Sequence, residues 1–177
     1  MLNWNFAEGF HPTSKVWLYQ CSRLLSDTEA TEMETALNNF AKEWTAHKQE
    51  LKAMGKVLLN RFALLMVDES VNEASGCSID ASVKTMRELE NKFSITLLDR
   101  SVLLFERKNF FFEIPLQLLK ENISTGKILL DDFYFDNTIT TLDQLKAFWR
   151  IPVNGSWIFS RHKINFDSAI QVSSMKV

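Results

Sequence analysis

Glycine and proline are scarce in this chain, with five and three in 177 residues. That scarcity excludes collagen-like and low-complexity chains. Cysteine is scarcer still: Cys21 and Cys77 lie far apart and form no C-x-x-C pair. Neither a zinc ribbon nor a thioredoxin-type redox motif is available, and both thiols are expected to be reduced. An excess of positive charge is missing too. Lys plus Arg number 20 against 22 Asp plus Glu, a formal charge of -2 that supplies no field for a phosphate backbone. Nucleic acid is therefore not an expected partner. No stretch approaches the ~18 uninterrupted apolar residues of a membrane span. The start MLNWNFAEGFHP has neither the basic region nor the apolar run of a secretory signal. A soluble, cytoplasmic protein is expected.

What the chain does have is apolar and aromatic mass: 46% hydrophobic residues, with 14 Phe and 5 Trp. A chain of this length can withdraw about 70% of its surface from water, which is enough for a core without a metal or disulfide staple. The expected organisation is a single α/β-type domain over residues 1–157. Periodicity weakens after Trp157, so residues 158–177 read as a loosely attached extension.

Lys15 to Arg23 alternates Val16 and Leu18 with Trp17, Tyr19 and Cys21, as a strand covered on both faces does. Ser26-Asp27-Thr28-Glu29 has the S-x-x-E spacing of a helix start. The stripe Met33, Leu37, Phe40, Trp44, continuing through His47, carries that helix to about Leu51. Val57 to Val67 is apolar almost throughout and predicts a central strand ending at Asp68-Glu69-Ser70. A second helix is expected over Ser78 to Phe93, capped by Ser78 or Asp80. Ser101–Arg107 and Phe110–Ile114, joined by Lys108-Asn109, form a hairpin. Pro115 opens a short helix that Gly126 closes. Asp132–Ile139 reads as an edge strand, and Thr141 starts a last helix through Trp149. The order β-α-β-α-β-β-α implies a right-handed crossover, a locally parallel and overall mixed sheet with helices packed on it, and a fold class of α/β or α+β.

Three segments, HPTSKVWLYQCSRLLS from His11, LKAMGKVLLNRFALLMVDES from Leu51 and SGCSIDASV from Ser75, resemble a family of small uncharacterised bacterial proteins. Trp149, Pro152 and Ser156-Trp157 are similar to the C-terminal part of that family, so the resemblance covers roughly Trp4 to Trp157. Some members carry the label "ABC transporter ATPase", which implies ATP hydrolysis. That chemistry needs a G-x-x-x-x-G-K-[ST] loop to cradle the phosphates. None of the glycines at 9, 55, 76, 126 and 155 begins one. The label is rejected on chemistry.

Parallel strands carry ligands beyond their C-terminal ends. On that rule Cys21, Ser22 and Arg23 after the first strand should cluster with Asp68, Glu69 and Ser70 after the second. Gly76, Cys77, Ser78 and Asp80 at the second helix should join them. Asp68, Cys77 and Asp80 are the catalytic candidates, and Arg23, Glu69, Gly76 and Ser78 the ligand-binding ones. Asp68, Glu69 and Asp80 have the oxygen donors of a hard cation, and Asp68 and Asp80 would share it. Helix caps and solvated strand ends are the plainer reading, so no metal site is assigned and no cofactor is named. Cys77 precedes a helix N-terminus, a place that favours thiolate. A Cys77-His47 dyad is disfavoured, because a helix to Leu51 followed by one long strand puts the two roughly 30 Å apart. The leading expectation is a binding or interaction module with no catalytic motif, its partner a second copy or another protein. The alternative is a small-molecule or nucleotide-handling enzyme using the edge around Asp68, Cys77 and Asp80.

Overall fold

Alternating apolar side chains make Lys15–Gln20 the strand β1, with Val16, Leu18 and Tyr19 buried. Ser26 then opens α1 (Asp27–Glu43). Its hydroxyl accepts the Glu29 amide at 3.2 Å while the Glu29 carboxylate accepts the Ser26 amide at 2.8 Å, the reciprocal box that the spacing predicts. The fold is described from a computed structural model for residues 3–174, without the side chains of residues 164 and 167–174. Expectations for residues 1–2 and 175–177 lie outside the described residues.

The first helix does not reach Leu51. Trp44 already has extended backbone, and β2 (Thr45–Ala46) and β3 (Gln49–Glu50) follow as a small antiparallel hairpin. His47 and Lys48 form its turn with φ of 51° and 67°, the left-handed pair whose twist suits a two-residue hairpin. Trp44 and Leu51, which continue the helical stripe on paper, are both buried and meet across this hairpin instead. The Leu51 amide donates to the Trp44 carbonyl at 3.0 Å.

The run Val57 to Val67 is not one strand. It folds back at Leu59-Asn60, with φ of 54° and 50°, so that β4 (Ala53–Leu58) and β5 (Phe62–Val67) pair antiparallel. On its other side β5 pairs antiparallel with β1, Lys15 facing Val67 and Gln20 facing Phe62, in the order β1-β5-β4. The expected parallel sheet and its crossover are therefore absent from this sheet. Every residue of β5 is buried, which explains its unbroken apolar sequence, but burial on both faces says nothing about strand direction.

The helix α1 crosses β4 at contact distance. A Cβ at Gly55 would stand 2.3 Å from the Leu37 Cβ, so only glycine fits this crossing. The outer edge of β4 is closed by side chains of that helix. Asn38 accepts the Gly55 amide at 3.1 Å and donates to the Gly55 carbonyl at 2.8 Å, and Glu34 accepts the Val57 amide at 3.0 Å. The second helix, α2 (Gly76–Phe93), starts at Ser75, whose hydroxyl accepts the Ser78 amide at 3.3 Å. That is earlier than the expected caps Ser78 and Asp80. Met33, Leu37, Trp44, Leu65, Val67, Met86, Leu89 and Phe93 form the core between these elements.

The chain divides into two compact units, Met1–Asp99 with Asn137–Lys146, and Arg100–Asp136 with Ala147–Val177, where the sequence suggests one core and an extension. In the second unit β6 (Val102–Arg107) and β7 (Phe110–Pro115) form the expected hairpin. Lys108 and Asn109 take φ of 50° and 68° at its turn. After Pro115 a single 3-10 turn, Leu116–Leu118, leads into α3 (Leu119–Ser124), which Gly126 closes at φ +71°. β8 (Phe133–Phe135) lies between β6 and β9 (Arg150–Pro152) in the order β7-β6-β8-β9. It is an interior strand and not the expected edge. The helix α4 (Leu142–Phe148) connects residues of both units. The last helix, α5 (Trp157–Ser174), buries Ile158 and Phe166 with Phe105, Ile114, Ile123 and Tyr134. Ile158 and Phe166, beyond Trp157, thus belong to this core. Helices beside separate antiparallel sheets make the fold α+β.

Candidate functional site

The antiparallel pairing of β1 and β5 separates residues that a parallel sheet would gather. Gln20 lies opposite Phe62 and Val67 opposite Lys15, so the two C-terminal ends sit at opposite edges, about 17 Å apart along the strands. Cys21, Ser22 and Arg23 therefore do not join Asp68, Glu69 and Ser70. Cys21 is fully buried, and burial, only partly offset by Arg61 and Arg23, pushes its thiol up to about 12. Arg23 grips the Glu29 carboxylate through two bonds of 2.6 and 3.0 Å and donates to the Phe93 carbonyl at 2.8 Å. The Arg23 hydrogen bonds bring the Glu29 carboxyl down to about 2. This tie holds the start of α1 to the end of α2 and is a structural role. Ser22 likewise accepts the Thr96 amide at 3.0 Å.

Asp68 is buried and fully engaged. Its carboxylate accepts from Lys52 Nζ at 2.8 Å, from the Ser70 hydroxyl at 2.6 Å and amide at 3.1 Å, and from the His11 amide at 3.3 Å. Burial acts to raise its pKa, but the Lys52 and Ser70 hydrogen bonds outweigh it and hold the carboxyl well below the usual range. Lys52 also donates to the Gly9 carbonyl and lies 5.1 Å over the Phe10 ring. Asp68 is thus the anchor of the segment before β1. Glu69 accepts the Ala74 amide at 3.1 Å and pairs with Lys15 at 3.2 Å. Asp80 is exposed on the first turns of α2. Among the described residues no group of three or more His, Cys, Asp or Glu is placed to hold a metal ion. The acidic cluster expected from Asp68, Glu69 and Asp80 is not assembled.

The start of α2 is different. Ser78 is buried: its hydroxyl donates to the Ser75 carbonyl at 2.7 Å, and its carbonyl accepts the Trp44 indole N–H at 2.8 Å. Asn72 donates to the Glu50 carbonyl at 3.0 Å. These bonds dock the β2–β3 hairpin beside the helix start and leave between them a groove of about 760 Å³. His47 and Gln49 line it from the hairpin, and Asn72, Glu73, Gly76 and Cys77 from the opposite side. His47 and Cys77 are both exposed, and Cys77 is a thiol. The two residues placed roughly 30 Å apart by a long helix and a single strand thus share one groove, because the chain reverses twice, at His47-Lys48 and at Leu59-Asn60. Gln49 and Asn72 carry no signal of their own in the sequence. The polar pair Asn60-Arg61 inside an otherwise apolar eleven-residue run, longer than most strands, is the mark of the second reversal.

The groove offers an imidazole, a thiol, two carboxamides and one carboxylate. That set binds polar groups by hydrogen bonds, and its thiol and imidazole are the pair that nucleophilic chemistry uses. No family model, curated protein or solved structure matches this chain. No helix among the described residues is long and apolar enough to cross a membrane.

Proposed function

We propose that this chain is a cytoplasmic binding module, and that the groove between the β2–β3 hairpin and the start of α2 receives its ligand. The observation that carries the reading is a contrast in engagement. Asp68, Glu69 and Arg23 are held in bonds that fasten the fold, while His47, Gln49, Glu73 and Cys77 line an accessible groove of ligand size. The resemblance to the small bacterial family belongs to this proposal, without the ATPase activity that its label implies. A thermal-shift screen of polar metabolites and nucleotides tests it. A ligand at 100 times its Kd stabilises by about 2.7 kcal/mol, and the expected hit is lost in Cys77→Trp, whose indole fills the groove. A hit that survives Cys77→Trp with unchanged affinity would place the ligand elsewhere and overturn the reading.

One observation favours a second reading, an enzyme of thiol chemistry: His47 and Cys77 line the same groove. In that reading His47 takes the thiol proton, Cys77 attacks an electrophilic carbon or a disulfide sulfur of the substrate, and the group whose bond to that atom breaks leaves with its electron pair and takes the proton from His47. Alkylation of Cys77 faster than that of an unstructured cysteine, slowed by His47→Gln, supports it. Equal rates in the two proteins remove it.

A further inference from the structure

We infer that β7 is a dimerisation strand, and that two copies of this chain join through it into one continuous antiparallel sheet. The inference is independent of the groove. β7 ends its sheet, paired on one side with β6 and on the other with no strand among the described residues. Its two-residue turn makes Arg107 and Phe110 the closing hydrogen-bonded pair. The main-chain groups of Phe110, Phe112 and Ile114 therefore face β6, and those of the alternate residues, Phe111 first, face away.

The occupant follows from the order of residues along the strand. Pairing two copies about Phe112 sets Phe110 opposite Ile114 of the second copy and Phe111 opposite Glu113 of the second copy. The outward-facing residues then meet each other, as an antiparallel ladder requires. Pro115, which lacks an N–H, falls at the margin of the pairing. Glu113, the strand's one charge, meets an aromatic ring and not its own copy. A shift by two residues toward the end of the strand would set Glu113 against Glu113, and a shift the other way would run the pairing into the Lys108-Asn109 turn. The register about Phe112 is the one that uses the whole strand without opposing like charges. It also accounts for Phe110, an aromatic ring left 78% exposed. Phe110 shares a sheet face with Phe112, which stacks on Phe105 with centroids 5.4 Å apart, and with Ile114, which is buried. In the paired sheet that apolar face runs unbroken from one copy to the other.

Analytical ultracentrifugation across a dilution series, under reducing conditions, tests the inference. The wild-type chain is expected to sediment as a dimer at tens of micromolar, and Phe110→Lys, which puts a charge on the strand without touching the core, as a monomer with an unchanged far-UV spectrum. Hydrogen exchange on the wild type provides a readout that needs no variant: the amides of Phe111 and Glu113, which face away from β6, should exchange faster as the sample is diluted through the dissociation range. A wild-type monomer at all concentrations overturns the proposal. So does a dimer that survives Phe110→Lys, or one whose Phe111 and Glu113 amides exchange at the same rate at every concentration.

Discussion

Two sheet edges in this molecule are finished in opposite ways. Along β4 the outward main-chain groups are met by α1: Asn38 offers a donor and an acceptor to Gly55 as a neighbouring strand would, and Glu34 takes the amide of Val57. Lys56 pairs with the same Glu34 carboxylate at 2.6 Å. Along β7 no strand among the described residues pairs on the outer side, and Phe110 stands exposed at the tip. An exposed strand edge invites another chain, and proteins usually close it with charge, proline or a covering element. One edge here is closed from within. The other is the edge at which we propose that a second copy pairs.

The closure of β4 depends first on close approach, so the largest effect is expected from Gly55→Ala. The added methyl would overlap Leu37, α1 would have to lift, and both side-chain seals would lengthen together. A loss of about 3 kcal/mol is expected from such overpacking, read as a lower urea midpoint. A stability equal to wild type would mean that the helix is not held against the strand. Next in size, Asn38→Ala keeps the approach and removes the amide that satisfies Gly55. Leaving a part-buried amide and carbonyl without that partner costs about 2 kcal/mol, and faster exchange of the Gly55 amide should accompany it.

A smaller effect is expected at the beginning of β4, on its β5 side. Lys52 precedes β4, and its carbonyl accepts the Asp68 amide at 2.8 Å while its ammonium holds the Asp68 carboxylate. The carboxyl titrates lower in the folded chain than in the unfolded one. Its contribution is therefore complete above the ordinary carboxylate pKa near 4 and is lost as pH falls below it. Asp68→Asn should cost about 1 kcal/mol at neutral pH and flatten the acid limb of the stability curve. An unchanged acid limb would remove the clasp. Glu29, brought down to about 2 by Arg23, acts in the same direction, so the limb is flattened and not abolished.

The parts of this fold that are legible in the sequence are those decided within a few residues. Ser26 and Glu29 specify a helix start, Lys108-Asn109 a hairpin, and Gly126 a helix end, each through bonds or dihedrals local to the motif. What escapes is decided over distance. The residues of β5 are apolar because both faces are covered, and nothing in them records whether β1 runs with or against them. That single sign moved Cys21 and Arg23 away from Asp68 and dissolved the expected site. Conversely, Trp44 sits on a helical repeat with Leu37 and Leu51, yet its indole finds Ser78 and the chain turns at His47. The groove is the product of that turn. Cys77 and Gly76 are visible as candidates from their place before a helix, and His47 as a histidine, but their meeting is tertiary.

The smallest effect is expected at the open edge, and it is the sharpest test of the contrast. Phe110→Lys removes a ring that is already mostly in water, so the stability of the monomer, measured below the dissociation range, should stay within about 0.5 kcal/mol of wild type. The equivalent insult at the closed edge does not behave this way: Asn38→Ala is expected to destabilise the chain at any concentration, because its partner is within the same molecule. Concentration therefore separates the two edges. If Phe110→Lys weakens the diluted monomer as much as Asn38→Ala does, Phe110 is part of a fold-stabilising contact, and β7 is closed by the chain itself, as β4 is.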